Sequence, residues 1–338
     1  MTTHLAIGTA QRGRTIIELL IAMTIGLVIV VGVSALYLSS SGVSRTANQV
    51  STIEQAGQLV LLVIGDSLKM AGYGEIRGSN FAGRTATLMD GAYLRGCTGT
   101  TFADPFPPYN AVPPLVQTPP DFTCSVPSAG DALYVRFQAG PVIANMLPAE
   151  EGRIRMRDCL ASTLAQDQEI AAGSFHPASG IQRPIVTNVF NLDAISGALE
   201  CSGYANAAMA ALLNNVTDFR VFYKFDDQGY AIGSGNFFNP APMATSVRDA
   251  TFINGLPGPV DAWNHVVAVM VCVTVASAED GVSATGGTVP VSVCPTTAAQ
   301  AEVGLNLTAA PPDGRVYRTF RQTFTVRANA TASPSLTL

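Results

Sequence analysis

Twenty consecutive uncharged residues, Leu19 to Leu38, follow directly on the carboxylate of Glu18. Spanning the hydrocarbon of a bilayer takes about 20 apolar residues at roughly 1.5 Å rise each, so the run is long enough to cross one as a helix. A charge at the start of such a run costs roughly 2.5 to 3.5 kcal/mol on insertion scales, which makes an acid there a functional residue with a partner to be found. A secretory signal peptide fits poorly. The run exceeds an h-region of about 7 to 15 residues, and no small-residue cleavage site closes it before the polar segment Ser39 to Ser41. Arg12 and Arg14 flank the run on its N-terminal side, and the first basic residue beyond it is Arg45. The positive-inside rule therefore places the N-terminus in the cytoplasm and the bulk of the chain outside. An uncleaved signal anchor is one way to satisfy these features.

Past Leu38 the pattern turns from wholly apolar to amphipathic. Val43, Ala47, Val50, Ile53, Gly57, Val60, Leu61, Ile64 and Leu68 recur at steps of three and four, one face of a continuing helix. The spacing predicts a single helix from about Thr15 to about Met70, ended by Gly72-Tyr73-Gly74. About 55 residues make an element on the order of 80 Å, of which only the second half can pack on its own domain. From about Gly74 to Gly130 the composition shifts to Gly, Pro and Thr, with seven prolines between Pro105 and Pro120, and predicts an elaborated surface loop tied by cysteines. Strands are expected at Ala132 to Gln138, Pro184 to Phe190, Val216 to Phe225, His265 to Ala276 and Val316 to Ala328, from alternation or β-branched content. Met209 to Leu213 reads as a short helix, and Arg153 to Ala172 is ambiguous. Because few of the strands are separated by a crossover helix, the sheet is expected to be antiparallel.

Charged residues make up 13% of the chain and the net charge is −5, with no basic block to meet nucleic acid. Six cysteines, with no C-x-x-C pair and no histidine at ligand spacing, favour disulfides in an oxidising compartment over zinc. Six thiols allow fifteen pairings. Neighbours in sequence are the expected partners: Cys97 with Cys124, Cys159 with Cys201, and Cys272 with Cys294, the last through a hairpin joining the strand of Cys272 to the run Val289 to Val293.

Gly13, one intervening residue, then Thr15-Ile16-Ile17-Glu18 and an apolar helix resembles the class III leader of type IV pilins and pseudopilins. The resemblance implies cleavage after Gly13 by a prepilin peptidase, so that Arg14, where the family usually carries Phe, becomes the first mature residue and Glu18 the fifth. N-methylation of that terminus is the family's habit. Within the class, Met70-Ala71-Gly72-Tyr73, the stretch Trp263 to Val269 with Cys272 beyond it, Tyr317-Arg318-Thr319-Phe320 and Val326-Arg327-Ala328-Asn329 resemble the PilW family of minor pilins. That resemblance implies an α+β type IV pilin fold, a long N-terminal helix packed on an antiparallel sheet with a large loop-rich insertion. It divides the chain into a leader (1–13), a transmembrane and assembly half of the helix (14–42), an amphipathic half (43–72) and an extracytoplasmic globular domain (73–338). The implied role is assembly of a type IV pilus in a priming or tip complex, without cofactor or metal and without enzymatic activity. The implied partners are the prepilin peptidase, other minor pilins, the major pilin and a tip adhesin. The chain would reside in the inner membrane before assembly and in the pilus afterwards. A type II secretion pseudopilin of the J type shares the same leader, helix and fold.

A different chemistry is spelled by Gly65-Asp66-Ser67-Leu68, the nucleophile motif of GDSL esterases. Its companion Asp-x-x-His is missing: Asp261 and His265 stand one residue too far apart for the Asp to orient the imidazole. Val60, Leu61, Ile64 and Leu68 also fit the helical face already established, which leaves Ser67 on a helix surface. His176 and His265 are isolated, Asp226-Asp227 before Gly229 reads as a hairpin turn, and the triplets at Asn215, Asn306 and Asn329 match glycosylation acceptors by composition alone. The aromatics from Phe102 to Tyr109 and at Phe237-Phe238 either bind a partner or pin a long loop.

Overall fold

A computed structural model describes residues 16–73, 76–80, 84–87, 93–104, 121–138, 158–160, 185–203, 206–226, 245–257, 262–280, 290–309, 311 and 313–326. The chain divides into two compact units, Met1–Asn48 and Gln49–Leu338. A single helix, α1 (Ile16–Met70), runs through the division, with Glu18 in its first turn and Lys69 in its last, each favourable to the helix dipole. The division falls inside the segment expected to be amphipathic. Val43 and Ala47 are exposed, and the buried face begins at Ile53, continuing through Gly57, Val60, Leu61, Ile64, Gly65, Ser67 and Leu68. The helix stops where Gly72 takes a φ of 73°, a left-handed conformation that only glycine adopts at little cost. Gly72 N then donates to Arg136 O at 3.0 Å, which ties the helix end to a strand.

In the second unit the described strands pair antiparallel throughout. After the hairpin of β1 (Ile76–Asn80) and β2 (Arg84–Thr87) come β3 (Leu94–Cys97), β4 (Thr100–Asp104), β5 (Asp121–Pro127), β6 (Ala132–Gln138), β7 (Ile185–Leu192), β8 (Leu199–Gly203) and β9 (Asn206–Leu213). The rest is β10 (Val216–Asp226), β11 (Thr245–Arg248), α2 (Ala250–Asn254), β12 (Val266–Ala276), β13 (Val291–Val293), α3 (Ala298–Val303), β14 (Asn306–Thr308) and β15 (Tyr317–Thr325). One sheet has the order β3-β6-β7-β8-β9 and a second the order β11-β10-β12-β15. Two-stranded pairs β1-β2, β4-β5 and β13-β14 complete the arrangement.

The main core is built from the buried face of α1 and from both sheets, through Leu133, Val135 and Phe190 on one and Phe219, Val221, Val269 and Val271 on the other. β12 is apolar almost throughout because both its faces are covered. Val269, Val271, Val273 and Val275 enter the main core, while Met270 joins Phe222, Val247 and Ala301 in a smaller cluster on the opposite face. The two sheets are also stitched by one carboxylate. Asp131, buried just before β6, accepts from Gly99 N at 2.9 Å and from Val221 N at 2.8 Å, with Arg220 Nη1 at 3.4 Å. Its own N–H donates to Phe219 O.

Three sequence expectations are corrected. Met209 to Leu213 is strand, not helix: it belongs to β9, which pairs with β8 through a bulge and so satisfies its backbone by tertiary pairing that overrides Ala and Leu helix preference. The stretch 74–130 is not all surface loop, since it holds β1 to β5, and Leu94, Cys97 and Phe102 are buried. The prolines from Pro105 to Pro120, like most of Arg153 to Ala172, lie outside the described residues. Finally, β13 hydrogen-bonds to β14 and not to the strand of Cys272, whose neighbours are β10 and β15.

Candidate functional site

In the first unit, the apolar side chains of α1 have no cover: Leu27 is 68% exposed and Leu36 72%. This part is long and apolar enough to cross a membrane by length and composition. Four of its polar residues fit the same environment, because their hydroxyls are satisfied within the helix itself. Thr24 Oγ1 donates to Ile21 O at 2.9 Å, Ser34 Oγ to Val30 O at 2.7 Å, Ser41 Oγ to Leu38 O at 2.9 Å and Thr46 Oγ1 to Gly42 O at 3.1 Å. Glu18 is the one carboxylate between Ile16 and Asn48 and sits exposed in the first helical turn. Gly13 and Arg14 lie outside the described residues.

The six cysteines form three disulfides, and the pairs are sequence neighbours. Cys97 at the end of β3 is bonded to Cys124 in β5 with Cα atoms 5.5 Å apart. Cys159 is bonded to Cys201 in β8 at 6.4 Å. Cys272 in β12 is bonded to Cys294, just past β13, at 5.7 Å. The last bond crosses from an inner strand of the four-stranded sheet to the segment of the separate β13-β14 pair, so it supplies a connection that the sheet's backbone hydrogen bonds do not.

The esterase-like Ser67 is buried on α1 and committed to structure. Its hydroxyl donates to Val63 O at 3.1 Å and accepts from Asn188 Nδ2 at 2.9 Å, while Asn188 Oδ1 accepts from Cys159 N at 3.1 Å. Asp261, like His176 and Phe237-Phe238, lies outside the described residues. Phe102 is not an exposed aromatic; it packs edge-on against Phe122 and Tyr134, with centroids 6.0 and 6.1 Å away. Among the described residues no three His, Cys, Asp or Glu side chains converge as a metal site requires.

Asp131 and Arg95 are two of the buried charges that escaped the sequence reading. Asp131, expelled from water, has its carboxyl pushed up to about 6, burial outweighing the stabilising backbone N–H donors and Arg220. Arg95 lies within β3, its guanidinium carbon 5.3 Å from the ring centre of Phe122 and 5.9 Å from that of Trp263. Burial lowers it to about 10, which leaves it cationic at neutral pH. Neither sits in a motif, and a lone charged residue in an apolar strand carries no periodic signal.

No protein-family model matches the chain, and no curated protein matches it. Among solved structures, a type IV-like pilin from Thermus thermophilus is similar with a TM-score of 0.35 and 13% identity, over 82% of this chain and 97% of that one. Agreement that loose does not define a fold. What stands on this chain's own elements is an α+β architecture, a long N-terminal apolar helix followed by antiparallel sheets.

Proposed function

We propose that this chain is a pilin-type subunit, a minor pilin similar to the PilW family, which acts in type IV pilus assembly after prepilin peptidase cuts behind Gly13. The observation that supports this is the first part of α1. It presents an uncovered apolar surface with four hydroxyls bonded inside the helix and a single carboxylate in its first turn, and the same helix continues into a disulfide-bonded β-rich unit. Such a helix needs lipid or neighbouring helices around it. In the precursor it would sit in the inner membrane, and on assembly it would exchange lipid for other pilins. Glu18 would pair with an N-terminal amine, its own or that of a neighbouring subunit, which relieves part of the cost of an unpaired intramembrane charge and favours one axial register. The part played by the second unit is structural and not catalytic, consistent with a Ser67 hydroxyl held between Val63 and Asn188.

The expected mature N-terminus is Arg14, read by intact mass of the membrane-extracted protein; a chain still carrying Gly13 contradicts processing. Glu18→Ala is expected to be cleaved, inserted and disulfide-bonded like wild type, yet to reach sheared fibres in much lower amount. Recovery of the variant in fibres at the wild-type level would remove the assembly role from this carboxylate.

A further inference from the structure

The three disulfides differ in what surrounds them. Five of the six cysteines are at most 6% exposed, whereas Cys124 in β5 is partly exposed. It lines a cleft of about 680 Å³ in the second unit, together with Thr100, Thr123, Thr251 and Asn254. None of the described lining residues is a carboxylate, so none of them repels an incoming thiolate. The bond from Cys124 to Cys97 also stands apart from the main core. Cys97 belongs to a smaller cluster with Phe102, Tyr134 and Val189, while Cys159 and Cys201 lie within the main one, and Cys272 and Cys294 are fully enclosed. A reagent from solvent therefore meets the Cys97–Cys124 bond directly, and the other two only after an opening.

What this bond secures is a hairpin. β4 and β5 pair only with each other among the described strands, and the bond is the covalent link from β5 back to β3. Other ties are non-covalent: Ser128 N donates to Gly99 O at 3.3 Å, and the rings of Phe102 and Phe122 pack edge-on against Tyr134. Asn254 Nδ2 donates to Cys124 Sγ at 3.6 Å. A donor aimed at this sulfur favours negative charge on it, as in a departing thiolate.

We propose that Cys97–Cys124 is an exchangeable bond, opened and closed by a dithiol through the Cys124 sulfur, and that it locks the β4-β5 hairpin to β3. One thiolate of the dithiol attacks Cys124 Sγ, the S–S bond breaks, and Cys97 leaves as a thiolate that takes up a proton, since burial favours the neutral thiol. The second thiolate then attacks the dithiol's own sulfur in the mixed disulfide and releases Cys124. Two electrons and two protons pass from dithiol to protein, and the reverse sequence restores the bond. The inference stands on the second unit alone and is independent of the role assigned to α1.

The test is timed exposure of the folded, detergent-solubilised full chain to dithiothreitol, with alkylation and peptide mass mapping. Cys97 and Cys124 are expected to be labelled together at least about tenfold faster than the other four cysteines, because access governs exchange. Glutathione, a monothiol, should leave its adduct on Cys124 and a free thiol on Cys97. Thr251→Trp, at an exposed position on α2, should block the cleft and slow the labelling with the near-ultraviolet dichroism unchanged. Once the bond is open, the amides of β4 and β5 should exchange hydrogen faster and those of β12 should not. The proposal is overturned if the bond resists dithiothreitol in the folded chain, if the three bonds open at equal rates or another opens first, or if glutathione is found on Cys97. It is equally overturned if Thr251→Trp reacts as fast as wild type, or if reduction leaves exchange in β4 and β5 unaltered or speeds it equally in β12.

Discussion

Asp131 shows how much one side chain can hold. Its two oxygens receive backbone N–H groups from the turn at Gly99 and from β10, so it joins segments far apart in sequence at a point where neither sheet's ladder reaches. Its carboxyl is raised to about 6 from a usual 3.8, and the linkage sign follows from that. Below about pH 4 folded and unfolded chains are both protonated and the group is neutral in its effect. Between about 4 and 6 the unfolded chain ionises first, so stability falls as pH rises, by on the order of 3 kcal/mol in all, and levels off above the folded value. Asp218, beside Arg220, is raised in the same direction by burial and adds to the slope. Asp131→Asn is expected to flatten this window in urea titrations followed from pH 4 to 7. It should also cost about 1 to 3 kcal/mol throughout, because the amide would set a donor against one of the two N–H groups. A slope unchanged in the variant would mean that other carboxyls set the pH response. None of this was legible in the sequence, where Asp131 follows Gly130 as any turn residue might. Glu18 was legible, because a charge beside twenty uncharged residues is conspicuous in one dimension.

At the scale of elements, α1 and β15 interlock through missing side chains. A Cβ added at Gly57 would stand 2.3 Å from the ring of Phe320, and one at Gly65 would stand 2.2 Å from that of Phe324. The two glycines are notches eight residues apart that admit two rings, which outweighs the roughly 1 kcal/mol of helix propensity that each forgoes. Gly65→Val is therefore expected to destabilise the fold by about 1 to 3 kcal/mol, seen as a lower thermal midpoint. In a Phe324→Ala background the same change should cost far less, and additive losses in that double-mutant cycle would show that the ring and the notch are not coupled. The helix itself was readable to within a residue at either end, since a twenty-residue uncharged run that passes directly into a 3.6-residue pattern has few alternatives. Its packing partner was not, because glycine on an apolar helix face looks like weakness until the opposing ring is known. The short strands failed for a related reason: Leu94-Arg95-Gly96-Cys97 is buried at all four positions and shows no alternation. β13 was found as a strand, yet its partner lies in a pairing that local sequence does not encode.

For the molecule as a whole, every cysteine lies in the second unit, and each bond closes a loop there, of 27, 42 and 22 residues. In the chain-entropy account such loops are worth about 3 to 4 kcal/mol each, which is substantial for a β-rich unit whose strands are short. A chain beginning at Gln49 retains the buried helical face, both larger sheets and all three bonds. It is expected to be soluble without detergent and to show the tertiary dichroism of the full chain, whereas loss of that signal would mean that residues before Gln49 are needed for the second unit to fold. The ring-and-notch seam also has a mechanical meaning. Tension applied along α1 would meet Phe320 at Gly57, Phe324 at Gly65 and the Asn188 bond to Ser67 together, so the helix could slide only by shearing all three at once. A force at right angles would peel them in succession, so the same contacts resist a pull along the helix far better than one across it.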